Sequence, residues 1–591
     1  MNKLIYTAIL AIFLFSSCKK SLDLQPLSQI SPDKSFASEN ELHLYVLSFY
    51  DSMLPTADGE DSESVPDNSF TSLYTENADN IVLNGSSDKV IGRRTVPVSG
   101  GGWKWKNLRN VNYFLQNYRR GGLSSSISNK YAATARFFRA YFYSTMVARY
   151  GDVPWYSQPI ETTDDTQLTK GRDSRVLVMD SVMNDIDFAI ANLPTAQSPG
   201  EVNKWTALAL KSRLCLTEGT FRKYHSEFAL KDADRFLQAS AAAAEQLMDQ
   251  GPYLLYNSTA DKAYGDLFHS LDVVTTEVIL ARQYSVALQI YHNVNYYTVS
   301  PSFGKPGLEK RLVNSYLMKD GSRFTDQPGY ATKQFFEETK DRDPRMSQTI
   351  RTPGYKRVDG TTAIAPSYAG TVTGYQLTKF VTAQANDANG KSPTPLPIFR
   401  LAEAMLNFAE AKAELGTLTQ ADLDKSIGKL RSRVGMPALN LAAANTNADP
   451  YLAAQYINVT GLNKGVILEI RRERRIELVM EGFRWNDLMR WKEGHLLTDQ
   501  FKGAYFPGAG NYDLDGDGKT DLVLYTGTQP TVPGAQFLKL GTDVTLEQGT
   551  AGNIVVNPGT PKSFNENKDY LYPLPTQDLL LNPNLKQNPN W

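Results

Sequence analysis

The stretch YDLDGDGKTDL, residues 512–522, sets Asp513, Asp515 and Asp517 at positions one, three and five of an oxygen-rich loop. Gly518 supplies the turn at the sixth position, Lys519 offers a backbone carbonyl at the seventh, and Asp521 stands at the ninth. Hard cations such as calcium take oxygen ligands at this spacing. The twelfth position, ordinarily a bidentate Glu, is Leu524. Carboxylates this close repel one another unless a cation or solvent neutralises them. A structural calcium ion and a solvated acidic turn are therefore the two readings. Catalytic metal chemistry is not indicated: only His495 lies nearby, and the five histidines show no ligand spacing.

Other reactive frames are missing. ANDANGKS (385–392) ends like a phosphate loop but has Ala385 where the first glycine belongs, and Pro393 and Pro395 follow. There is no GxSxG, HExxH or paired CxxC. What remains is stacking chemistry. Flat apolar rings beside planar polar groups suit sugar rings and paired hydroxyls. Trp103 follows Gly100–Gly102 at a helix start and is expected to be exposed, whereas Trp105 is expected in the core. Tyr74, Asp79 and Asn80 share the preceding loop, and Tyr291, Asn295, Tyr296 and Tyr297 form a second cluster. Ordinary packing is the alternative for each of these aromatics. Trp155, Trp205, Trp485 and Trp491 fall in or beside helical patterns and are read as core.

Helices must position these groups. Periodic apolar stripes mark 38–54, 101–120, 128–155, 174–193, 203–219, 229–249 and 399–416, and helices continue to about 496. Several alternate small with large residues and close on glycine, as helix hairpins of tetratricopeptide type do, but without a strict 34-residue period. Between 55 and 102, between 255 and 398, and beyond 500 the pattern is loop-like, with a few short strands. The segment RRERRIELVMEGFRWNDLMRW (471–491) reads as one helix with Ile476, Val479, Met480 and Phe483 on its core face. Glu473, Glu477 and Glu481 repeat every four residues, and the neighbouring arginines are expected to neutralise them as ion pairs. With 62 basic and 63 acidic side chains the chain has no nucleic-acid signature.

The first residues, MNKLIYTAILAIFLFSSCKK, combine Lys3, an apolar run too short to span a bilayer, and small residues before Cys18. This is a lipoprotein-type signal over 1–17, with Cys18 as the acylated first residue. Cys215, in an apolar helical stretch, then has no disulfide partner.

Three blocks, ARFFRAYFYSTMVARYGDVPW, RRERRIELVMEGFRWNDLMRW and YLYPLPTQDLLLNPNLKQNPNW, resemble signatures of the SusD/RagB family. They stand in that family's order, and SLDLQPLSQIS after Cys18 resembles its amino-terminal pattern. The resemblance spans essentially the whole chain. It implies a mainly α fold over 18–591, in which tetratricopeptide-like helical repeats support an irregular, loop-rich binding face. Its parts are a helical-repeat portion (18–320) and a loop-rich portion (321–591) with helices at about 399–496. It further implies an outer-membrane lipoprotein, anchored through its lipid and facing the exterior, that binds glycans without catalysis. It would pass them to a SusC-like TonB-dependent transporter. Peptide capture on the same fold and, more remotely, a surface glycosidase are the alternatives.

Overall fold

The computed structural model describes residues 36–55 and 78–591. Among the described residues six long helices build the first half: α1 (Glu39–Met53), α2 (Lys106–Asn117), α3 (Ser125–Tyr150), α4 (Arg175–Asn192), α5 (Lys204–Tyr224) and α6 (Ala233–Gln250). Each boundary has a local cause. The Ser38, Ser124 and Ser174 hydroxyls accept backbone N–H groups at the starts of α1, α3 and α4. Asn203 and Thr206 form a reciprocal capping box on α5. Helix α3 stops at Gly151, whose φ of +74° lies where glycine is favoured.

Small residues let the helices approach. In α3, Ala132, Ala133, Ala135 and Ala140 are buried among Phe137, Phe138 and Phe142. Between α5 and α6 the limit is Gly219, where an added Cβ would sit 2.8 Å from the Leu237 side chain. The pairs α3–α4 and α5–α6 pack as the expected hairpins, and α7 (Leu401–Leu415) closes on α6. Cys215 is buried on α5, as its apolar setting implied.

The irregular half hangs from two strands. Val278–Arg282 pairs antiparallel with Leu396–Arg400, so the segment between them leaves the helical scaffold and returns to it. Beyond residue 500, Lys502–Phe506 pairs with Gly552–Val555, and Gly510–Tyr512, Leu522–Tyr525 and Gln536–Lys539 form a three-stranded sheet. Among the described residues two extensive apolar cores result, one among the helices and a second under the irregular half, with a small third cluster of Leu216, Leu237 and Ala411. Among the described residues no helix is long and apolar enough to cross a membrane.

The 471–491 segment departs from its expected single helix. Helix α8 (Lys464–Glu477) ends, Met480 takes φ +65° and Gly482 φ +84°, and α9 (Arg484–Arg490) restarts at a new angle. Ile476, Val479 and Met480 stay fully buried, while Phe483 is half-buried. A left-handed methionine costs on the order of 1–3 kcal/mol. The break offsets this by freeing carbonyls, because Lys379 donates to Val479 O at 2.7 Å and Arg400 to Glu477 O at 2.8 Å.

The charges of this segment form a buried belt, and the partners of its glutamates lie elsewhere in the chain. Glu477 accepts from Arg400 and Arg433 at 2.7 Å each and from Arg345 at 3.3 Å. Glu473 pairs with Arg345 and Arg431, and Glu481 with Arg400 and Lys379. Burial pushes the Glu477 carboxyl up, but the Arg433 and Arg400 charges outweigh it and hold it well below the usual carboxylate range. The belt thus fixes four separate stretches of chain to α8 and the turn that follows it.

Candidate functional site

The segment 284–304 presents the exposed aromatic surface. A short helix, Val294–Val299, buries Val294, Asn295 and Thr298, which turns Tyr296 and Tyr297 outward as half-buried rings. Phe303, 43% exposed, lies 4.2 Å from Tyr297 and 5.4 Å from Tyr296 between ring centroids, so three rings form one platform. Tyr291, in the same segment, has the Lys391 ammonium 5.2 Å from its ring.

The platform is braced from below. Asn295 Oδ1 accepts from Thr382 N at 2.7 Å, and its amide donates to Asp387 at 2.6 Å. Asn293 Oδ1 accepts from Gly390 N, and His292 and Ser392 exchange both backbone hydrogen bonds. Arg357 ties Asp387 to Thr382 O. Burial pushes the His292 imidazole down to about 4, so it holds Thr394 as a neutral ring near neutral pH. The second loop, 382–392, exposes Gln384, Asn389 and Lys391. Flat faces with planar amides at the rim are the surface chemistry of sugar recognition.

Several expected ligand residues serve the scaffold instead. Asn295 is buried, and it braces the second loop. Asp79 and Asn80 are buried against the belt: Asp79 accepts from Arg484 at 2.6 and 2.9 Å, and Asn80 Oδ1 from Arg475 at 2.6 Å. Burial raises the Asp79 carboxyl, yet Arg484 and Arg475 hold it well below the usual range. Trp103 is only 5% exposed, because its ring packs edge-on against Trp105 at 5.1 Å and Tyr150 at 4.9 Å. The three glycines before it turn the chain inward. Tyr74 lies outside the described residues, as does Cys18. Trp205, Trp485 and Trp491 are buried, and Trp155 is half-buried.

Phe303 escaped the sequence reading, although an aromatic between Pro301, Ser302 and Gly304 is a turn signal for exposure. So did Val286, Leu288 and Ile290, exposed on the tip closed by the Ser285–Ile290 bridge.

In the acidic turn, Asp513, Asp515 and Asp521 each bring one carboxylate oxygen within 4.8 Å of the others. Asp517 turns away to its own ion pair with Lys519 at 2.6 Å. Asp513 also accepts from the Gly516 and Gly518 amides, which pre-forms the loop. The donor set, all oxygen on a glycine-hinged loop, fits a hard cation.

Comparison with known proteins agrees with this architecture. SusD-like protein P38 of Formosa agariphila is 25% identical over 386 residues, which is 61% of this chain and 66% of the relative. SusD-like protein P25 of the same organism is 22% identical over 292 residues, or 47% and 50%. The chain thus matches somewhat less than two thirds of the first relative and half of the second. A SusD-like protein from Bacteroides fragilis superposes with a TM-score of 0.68 at 20% identity, covering 96% of this chain and all of the other. A second B. fragilis structure, described as a SusD-like carbohydrate binding protein, gives 0.67 at 21% identity over 93% and 99%. At this identity the superpositions speak to the fold, which is the helical-repeat fold of SusD-like proteins. The SusD family model matches residues 276–591, from the strand that opens the irregular half through the belt to the end, and the chain belongs to the SusD family.

Proposed function

We propose that the protein captures an oligosaccharide non-covalently on the Tyr296–Tyr297–Phe303 platform. It would deliver that ligand to a SusC-like TonB-dependent transporter while anchored to the outer membrane through an acylated Cys18. The observation that carries this is the platform itself: three clustered rings at the surface, on a segment tied to the amide-bearing 382–392 loop by a dense set of hydrogen bonds. Preorganisation of this kind lowers the ordering cost of binding. The solved family member described as carbohydrate binding supports the same reading. Nothing in the platform resembles a catalytic pair, so binding is the whole of the proposed chemistry. The three converging aspartates would hold a calcium ion as a brace for the neighbouring sheet. Adding calcium to chelator-stripped protein should then raise the melting temperature, and Asp513→Asn should abolish the rise.

Calorimetric titration of the mature chain against a polysaccharide panel and a peptide digest tests the capture reading. Saturable heat with one glycan and no released product is the expected result. Heat from peptides alone would move the platform to peptide capture, for which the exposed Val286, Leu288 and Ile290 would be suitable contacts. Release of sugar product would replace the reading with a glycosidase.

A further inference from the structure

The three sequence blocks that carry the family resemblance converge on a cleft that shares no residue with the aromatic platform. Its volume is about 220 Å³, and it opens between α3, α5, the 481–489 turn and the Tyr570–Tyr572 segment. Two polar groups in its wall have bonding capacity left over. Tyr141, on α3, is only 8% exposed, and no described residue hydrogen-bonds its hydroxyl. Arg213, on α5, uses Nε and Nη2 on Glu403 and on Ile398 O, but Nη1 has no acceptor among the described residues. Its guanidinium is held between the rings of Phe399, at 4.0 Å, and Phe483, at 5.0 Å. Tyr141 and Arg213 line the same cavity, so one bound group can reach both.

The anionic side chains of the wall are already matched. Glu481 is paired with Arg400 and Lys379, Asp487 with Arg474 and Arg490, and Glu218 with Arg175 and Arg222. None of these three is bonded to Tyr141 or Arg213, and the carboxylate that Arg213 does meet, Glu403, leaves its Nη1 unused. The hydroxyls of the wall point to the rest of the ligand. Thr145 and Ser144 donate to Tyr141 O, and Thr217 donates to Arg213 O, each at 2.9 Å. Their protons are spent on the helix, and what they show to the cleft is lone pairs. Lone pairs recognise O–H donors.

We propose that this cleft binds a sugar acid: the carboxylate accepts from Tyr141 Oη and Arg213 Nη1, and ring hydroxyls donate to Ser144, Thr145 and Thr217. A neutral sugar would bring no carboxylate to Tyr141 Oη and Arg213 Nη1, and a simple carboxylate would leave the hydroxyl wall unmatched. The acid is either a free monosaccharide or the terminal residue of an acidic chain.

Calorimetry on the full mature chain separates these cases. The probes are glucuronate, galacturonate, glucose, acetate and a short oligouronide. One of the two sugar acids should bind at least about tenfold more tightly than glucose or acetate, the scale of a hydrogen bond to a charged group. Tyr141→Phe should remove most of that margin and leave the melting temperature unchanged, since the lost hydroxyl has no partner among the described residues. This variant is preferred to one at Arg213, whose bond to Glu403 makes it structural. Binding of the oligouronide as well as the monosaccharide assigns the chain end, and binding of the monosaccharide alone assigns the free acid. Equal affinity for glucose, no heat with either sugar acid, or Tyr141→Phe binding like the parent chain would overturn the proposal. None of these outcomes depends on the aromatic platform.

Discussion

The arginine–glutamate belt and the aromatic platform are built from opposite materials and do opposite things. The belt takes the most water-loving side chains in the protein and buries them. The platform takes rings that would lower their free energy in a core and leaves them at the surface. Burying a charge carries a desolvation cost of several kcal/mol, recovered only with near-complete pairing. The belt meets that condition by making each carboxylate accept from two or three cations. Exposed rings do not need partners to stay folded, only a rigid base. One region therefore makes stability depend on every member, and the other keeps its working residues nearly independent of stability.

The sharpest way to break this contrast is Glu477→Ala. The substitution strips the shared partner from Arg345, Arg400 and Arg433 at once. Each guanidinium keeps another carboxylate, but three buried cations lose their common counter-charge, which should cost about 3–5 kcal/mol, read as a lower urea midpoint. The sign of the pH effect follows from the depressed carboxyl. A group with a lowered folded pKa stabilises above its unfolded value near 4.5 and loses that contribution as pH falls below it. The parent chain should therefore lose stability on acidification below that value, and the variant should lose less. A variant as stable as the parent would mean that the belt is not what holds the irregular half to α8.

Not every member of the belt region is satisfied, which sharpens the comparison. Glu493 is fully buried, its Oε1 meets Arg471 at 3.3 Å, and Oε2 has no hydrogen-bond partner among the described residues. Burial pushes its carboxyl up to about 7, against the pull of Arg471. A raised carboxyl pKa means the folded state binds the extra proton between pH 4.5 and 7, so stability falls as pH rises through that window. Glu493→Gln should remove the slope, with a gain on the order of 1–2 kcal/mol at pH 8 and little change at pH 5. A loss of stability at pH 8 would show that the carboxylate is paired well enough to contribute.

These two regions also differ in what the sequence discloses. The helices were legible because period and capping are local: the Ser38 cap and the glycine after α3 act within a few residues. That the charges of 471–491 are structural was legible too, from the interleaved signs. Their partners were not, because Arg345, Arg400, Arg431 and Arg433 reach Glu473 and Glu477 from tens of residues away. The break at Met480 was hidden for the same reason, since its compensation comes from Lys379 and Arg400. In the second aromatic cluster the outward rings were found, but Asn295 was misread. A polar residue on a short helix looks the same whether it faces a ligand or braces a neighbouring loop. Trp103 failed similarly: the glycines before it turn the chain inward as readily as outward, and only the positions of Trp105 and Tyr150 decide.

The platform should respond in the reverse sense to the belt. Phe303→Ala and Tyr297→Ala remove exposed or half-exposed rings whose mutual contact is worth about 0.5–1.5 kcal/mol at most. Phe303→Ala in particular should change the unfolding free energy by under about 0.5 kcal/mol, as surface substitutions do. On the captured glycan each should weaken binding by roughly tenfold, because a ring that stacks on sugar has no substitute in alanine. Asn295→Ala is the control that separates surface from brace. Asn295 is buried, and the substitution removes its bonds to Thr382 N and Asp387, which loosens the second loop. It should lower stability as well as affinity. If Phe303→Ala instead unfolds the protein as easily as a belt variant does, the platform is a piece of core, and the division of labour between the two regions fails.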